Sequence, residues 1–201
     1  LQGRVDAEVS FSFFFNDAAG QAHLALRNPA ITDKNVLWAL GTAVGSPAFA
    51  LTAKQVNFDY SRATDGSMAG TASAMGNGVL PEWGSLLSAG KITHSGATNV
   101  ASKDDSASSG NGAVATIQSM SLSSGTATVK VQHSANDSSW SDLITFTNVA
   151  SATDSGRTAE RKTVSGTVNR YLRIATSGTF SGLVFAIHYR RGTAQDRVAY
   201  A

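Results

Sequence analysis

Four histidines, His23, His94, His133 and His188, are the side chains of this 201-residue chain best suited to move a proton or hold a metal near neutral pH. No two of them stand at a spacing that sets paired ligands on one face, and no cysteine is present to complete a site. Structural or surface roles are therefore expected for all four. Asp104-Asp105 follows His94 and could join it in metal or acid/base chemistry, but the surrounding Ser/Gly-rich stretch reads better as a solvated loop. Nucleophile elbows of the G-x-S-x-G type, H-E-x-x-H helices and phosphate-cradling Gly-rich loops are all missing from the sequence. The expectation is a non-enzyme with no catalytic, cofactor-binding or metal-binding residues and no cofactor.

Other chemistry-bearing groups have two readings each. Asn136-Asp137-Ser138 fits a glycosylation acceptor pattern, but with no secretory signal a plain turn is the favoured reading. Trp140, with Trp83 and Tyr171, could form an aromatic platform for a sugar ring, whereas packing beside a turn is the commoner fate of such rings. Arg157, Arg161 and Lys162 surround Glu160, while Arg170 and Arg173 flank Tyr171. Phosphate contact is one reading of these clusters; ion pairs between subunits or a mixed, solvated strand face is the other, and it is favoured because Glu160 interrupts the first cluster. Lys103, Asp104, Asp105, Arg157, Glu160, Arg161, Arg190 and Arg191 are accordingly the candidate intersubunit contacts.

The elements that must position these groups are strands. From Gly125 to Trp140, Ala127, Val129, Val131 and His133 alternate with Thr126, Thr128, Lys130 and Gln132, which predicts a half-buried strand. It runs into a turn at SANDSS, and the apolar run through Leu143, Ile144 and Phe146 then completes a hairpin. Val5, Ala7, Val9, Phe11, Phe13 and Phe15 share one face of the longest alternation in the chain. Asn16-Asp17 offers an N-cap for a short helix as far as Leu26, stopped by Arg27-Asn28-Pro29. Strands from Ala53 to Tyr60 and Met68 to Met75 flank a turn at Asp65-Gly66, and Val36 to Leu40 is an apolar run of open type. Residues 85–112 have no sustained period and are expected to form a long loop. Val114–Leu122, Thr158–Val164, Tyr171–Thr176 and Leu183–Tyr189 follow as strands, with turns at Ser155-Gly156, Ser165-Gly166 and Ser177-Gly178. The fold class is mainly β, an antiparallel sandwich or barrel with one short helix and long loops. We read 1–201 as one domain, with a possible subdivision into 1–110 and 111–201 and a C-terminal arm at 192–201.

Composition narrows the function classes further. Charged residues are only 15% of the chain against 42% hydrophobic, and 16 Lys plus Arg nearly cancel 14 Asp plus Glu. Such a surface fits contact with further copies of the chain, and it gives no electrostatic case for tight nucleic-acid binding. No apolar run approaches the roughly 18 residues that span a bilayer, so no membrane role is expected. Leu1 begins almost inside a strand pattern without a secretory signal, and the expectation is a chain that starts part-way into its gene product.

In order, FFNDAAGQAH (Phe14 to His23), AKQVNFDYSRATDGS (Ala53 to Ser67), LPEWGSLLSAGKITHSGATN (Leu80 to Asn99), VKVQHSANDSSWSDL (Val129 to Leu143) and VNRYLRIATSGTFSGLVFAIHYRR (Val168 to Arg191) span nearly the whole chain. This series resembles the major tail (tail tube) proteins of long-tailed bacteriophages, particularly those of actinobacteria. The resemblance implies a β-rich virion subunit, assembled in the host cytoplasm into rings, usually hexameric, that stack into a hollow tube. It also implies partners: other copies of the chain, tail terminator and baseplate or distal tail proteins, and double-stranded DNA passing through the lumen without tight binding. A carbohydrate-binding β-sandwich module and a phage decoration or tail-fibre protein are the alternative readings.

Overall fold

The computed structural model describes residues 7–18, 26, 33–78 and 81–193. The chain divides into two compact units, Leu1–Val36 with Leu51–Pro81, and Leu37–Ala50 with Glu82–Ala201. In the first unit, β1 (Glu8–Phe14) and the distal part of β3 (Pro47–Arg62) flank β4 (Met68–Gly76), all antiparallel. The central strand is built of small residues, and the outer strands lay rings over it. Gly70 and Ala72 pair with Phe13 and Phe11 on one side and with Tyr60 and Phe58 on the other. A Cβ at Gly70 would collide with the Phe13 ring. Phe13 stacks on Phe58 at 5.8 Å, and Tyr60 meets Phe58 edge-on at 4.9 Å, so the aromatics supply the packing that the glycine lacks. A register shift between Gln55 and Asn57 bulges β3 at Val56. The β3–β4 turn is locked by the Asp65 carboxylate, which accepts from the Ser67 amide and hydroxyl and is held below the usual carboxylate range by those bonds.

The second unit is an antiparallel sandwich. Its first sheet runs from the start of β3 (Pro47–Ala50) through β5 (Glu82–Leu86), β15 (Leu183–Arg191) and β9 (Ala113–Ser121) to β13 (Thr158–Val164), with β6 (Ile92–His94) also on β15. β2 (Lys34–Ala39) pairs with β3. In the second sheet β11 (Ser141–Thr145), β10 (Ser124–Ser134), β14 (Tyr171–Ser181) and β7 (Thr98–Asn99) follow in that order. β12 (Val149–Ala150) adds to β10, and β8 (Lys103–Asp104) to β14. Ala115, Ile117, Phe185 and Ile187 from one sheet close on Val129, Val131, Leu172, Ile174 and Phe180 from the other. Period-2 alternation along β9, β10, β14 and β15 puts those side chains inward, and their burial is the main stabilising term of the unit.

The mainly β sandwich matches the fold class expected from sequence. Three local expectations change. The stretch 85–112 carries β6, β7 and β8, and an isolated bridge joins Ser109 to Val168, so it is stitched to β14 and β15 rather than looping free. Pairs two or three residues long have no period for a sequence reading to detect. Ser177-Gly178 is not a turn: Gly178 sits within β14 opposite Ala127 at a φ of 107°, against the Thr126 carbonyl. Of the open run at Val36–Leu40, all but Leu40 lies in β2. The expected helix falls mostly on 19–25, outside the described residues. Of the C-terminal arm, the Gly192 amide donates to the Gly112 carbonyl, and 194–201 lie outside the described residues.

Candidate functional site

Five of the eight charged candidates gather on the second unit through β8, β15 and the turn before β14. β8 sets Lys103 opposite Leu172 and Asp104 opposite Tyr171. The Asp104 carboxylate then takes both arms of the Arg170 guanidinium, at 2.6 and 2.5 Å, and the Ser106 amide at 2.7 Å. Arg170 foremost, then the Ser106 amide, holds the Asp104 carboxyl at about 2, and Asp104 in turn raises the Arg170 pKa. Asp105 points the other way, accepting from Lys103 Nζ and, at 2.7 Å, from Arg191 Nε. Arg191 spends its remaining donors on the carbonyls of Val168, Asn169 and Arg170 and on Ser109 Oγ. One guanidinium therefore fastens the 105–109 segment and the approach to β14 onto β15. Arg190 lies next along β15, opposite Val114.

The remaining candidates sit on or beside β13. Arg157 lies 3.7 Å from Asp154 at the surface. Glu160 accepts from the Thr147 amide and hydroxyl at 2.7 and 2.8 Å, with Lys162 at 3.2 Å. Arg161 reaches across the first sheet to Glu82, a buried carboxylate, with contacts of 3.1, 3.1 and 2.5 Å. Lys103, Asp104, Asp105, Glu160, Arg161 and Arg191 thus have close partners inside the chain.

Sequence reasoning did not single out the buried polar row beside the Glu82–Arg161 pair. His188 is opposite Thr116, which is itself opposite Arg161. The imidazole is fully buried, lies against Gly84 where a Cβ would meet Nε2 at 2.6 Å, and has no hydrogen-bond partner on either nitrogen. Burial first, then the charges of Arg190 and Arg161, pushes its pKa down to about 4, so it is neutral at pH 7. Sealed from solvent, it cannot exchange a proton with an external substrate. His94 is also lowered by burial; its Nδ1 lies 3.0 Å from Thr176 Oγ1 and its ring meets Phe185 edge-on. His133 Nδ1 accepts from the Asn169 amide. His23 is outside the described residues. Among the described residues no three His, Cys, Asp or Glu side chains are placed to hold a metal.

The three aromatics read as a sugar platform do not share a sheet. Arg173 lies over the Trp140 ring at 4.3 Å and Arg170 over Tyr171 at 4.9 Å, both beside the second sheet, while Trp83 projects from β5 of the first. Trp83 is instead exposed, with its ring 5.2 Å from that of Phe49. Trp38, Leu40 and Val44 are exposed as well in this unit, as are Phe14, Val56 and Met75 in the other. Alternation tells which residues share a face but not which faces a second layer covers, so these groups were invisible as surface features.

No family model matches the chain, and no curated protein matches it. Among solved structures it is similar to the Dit protein of phage SPP1, described as a paradigm of the hub adsorption apparatus in phages infecting Gram-positive bacteria. The identity is 10%, over 92% of this chain and 78% of that one, with a TM-score of 0.23. A likeness at that score carries no argument about fold or function. The class defined by the chain's own geometry is a mainly β protein whose second unit is an antiparallel sandwich.

Proposed function

We propose that this chain is a non-enzymatic structural subunit that assembles with copies of itself into the rings of a phage tail tube, through which double-stranded DNA passes. The observation that carries the reading is the surface: large apolar side chains are exposed on both units, while most candidate charges are engaged within the chain. Monomers rarely leave so many tryptophan and phenylalanine rings in water, and a heterologous contact repeated between copies closes a ring if its rotation completes a circle. The ordered series of segments resembling tail tube proteins supplies the tube and its partners, namely tail terminator and baseplate or distal tail proteins, within a virion assembled in the host cytoplasm. A net charge of +2 suits a conduit that lets the duplex slide.

Sedimentation velocity over a range of subunit concentrations tests the proposal. Discrete closed species, unchanged by duplex DNA at physiological salt, are expected. A single monomer boundary at every concentration, or tight salt-sensitive DNA binding, contradicts it. The sugar-module alternative loses its main feature, because arginines lie over Trp140 and Tyr171.

A further inference from the structure

We infer that the row Trp38, Leu40, Phe49 and Trp83 is the surface on which a second copy of this chain docks; this rests on the self-assembly reading above. Phe49 and Trp83 are register partners on β3 and β5, with rings in contact. The Leu40 amide donates to the Pro47 carbonyl, which sets Leu40 opposite Pro47 and, two residues on, Trp38 opposite Phe49. Three neighbouring strands therefore present one aromatic row. Trp38 is 50% exposed, Leu40 61% and Trp83 59%.

Area and chemistry select the occupant. A tryptophan offers up to about 250 Å², so the two half-exposed indoles with Leu40 and part of Phe49 present roughly 400 Å² of apolar surface. One partner's side of a standard protein interface is about 800 Å², a little over half of it apolar, so the row supplies nearly the whole apolar share of one such side. No member of the row is charged, and the carboxylate next to Trp83 in sequence, Glu82, is buried and bonded to Arg161, so it is not free to fix a sugar's hydroxyls. An apolar protein surface is what fits. Further large apolar side chains, Phe14, Val56 and Met75, are exposed at separate points of the first unit, with Ser10, Ser12, Thr71 and Ser73 lying between Phe14 and Met75. A contact between copies covers the row in every subunit without calling on a foreign partner.

The test compares the full chain with its Trp38→Ser, Trp83→Ser double variant by sedimentation and circular dichroism. Both changes are at exposed positions, so the fold is expected to survive, while the concentration needed for assembly rises on the order of a hundredfold or more. Wild-type assembly with an equally assembling, folded double variant overturns this inference and leaves the self-assembly reading standing; a wild-type chain that stays monomeric overturns both. Because the native chain has no cysteine, Leu40→Cys provides a second readout that does not depend on the double variant folding. Its thiol should react with a maleimide at least about tenfold more slowly in the assembled than in the dissociated state. Equal rates in the two states, or tryptophan emission that shifts on adding a polysaccharide and not on assembly, count against a second copy as the occupant.

Discussion

Mild acid should destabilise the second unit through His188, and the structure fixes both the sign and the pH window. In the native chain the imidazole is buried without a hydrogen-bond partner and beneath Arg161 and Arg190, with its pKa pushed down to about 4 from 6.5. Glu82, on β5, is the carboxylate of the same region, and its oxygens are already bonded to Arg161. Below pH 6.5 the unfolded chain takes up a proton that the folded chain refuses, so stability falls as pH drops from about 6.5 toward 4. The loss is about 3 kcal/mol across that interval, and His188 contributes no slope above about pH 7.5. His94 and His133 are lowered in the same direction and steepen the slope. Asp104, Asp65 and Asp142 have depressed pKa values; the stability they add is present above their unfolded values and is lost only below about pH 4. Urea unfolding of wild type and His188→Leu at pH 4 to 8, at subunit concentrations too low for assembly, isolates the group. The difference between the two curves should change by about 3 kcal/mol between pH 6.5 and 4, whatever the variant's absolute stability. Parallel curves across that interval would refute the assignment of a buried, neutral imidazole.

Two further substitutions separate the interactions that hold the sandwich from those that decorate it. Arg191→Ala strands the Asp105 carboxylate with Lys103 alone and takes a donor from three carbonyls, of which Val168 and Arg170 keep the Ser109 and Asp105 amides; thermal unfolding should register a cost of about 3–5 kcal/mol, only partly recovered by Arg191→Lys. Asp104→Ala, in a bidentate pair whose two side chains are each 42% exposed, should leave the melting curve nearly unchanged, and any difference should vanish in high salt. Gly125→Ala forces a φ of 82° on a residue with a Cβ and drives that atom into the Thr179 carbonyl of the paired strand. A fall in Tm of roughly 5–10 °C is expected, and an unchanged Tm would mean that the β10–β14 ladder ends before Gly125.

Where residues alternate over a long strand, the sequence carried the answer. Ala127, Val129 and Val131 on β10 and Phe185 and Ile187 on β15 face the sandwich core as their period requires. The hairpin from β10 to β11 closes across the SANDSS turn, where Asn136 Oδ1 accepts from the Ser138 and Ser139 amides. What escaped reading depends on distant partners. Arg161 looked like part of a surface cluster because Glu82, the carboxylate that pairs with it, is 79 positions away. Arg191 reads from sequence as a candidate intersubunit contact, yet partners within the chain come from residues 105, 109 and 168–170. His188 falls on the face opposite Leu183, Phe185, Ile187 and Tyr189, and nothing local signals that its ring is sealed against Gly84. Exposure of Trp38 and Trp83 was equally hidden, because a strand pattern ends at its own sheet and is silent about what lies above it.

The central claim is that the working object is an assembly of identical subunits, and electron microscopy of the purified chain at increasing concentration tests it most directly. Rings, or stacks of rings, with a central channel wide enough for a DNA duplex are the predicted result. Fields of separate single subunits at every concentration and salt condition would contradict it.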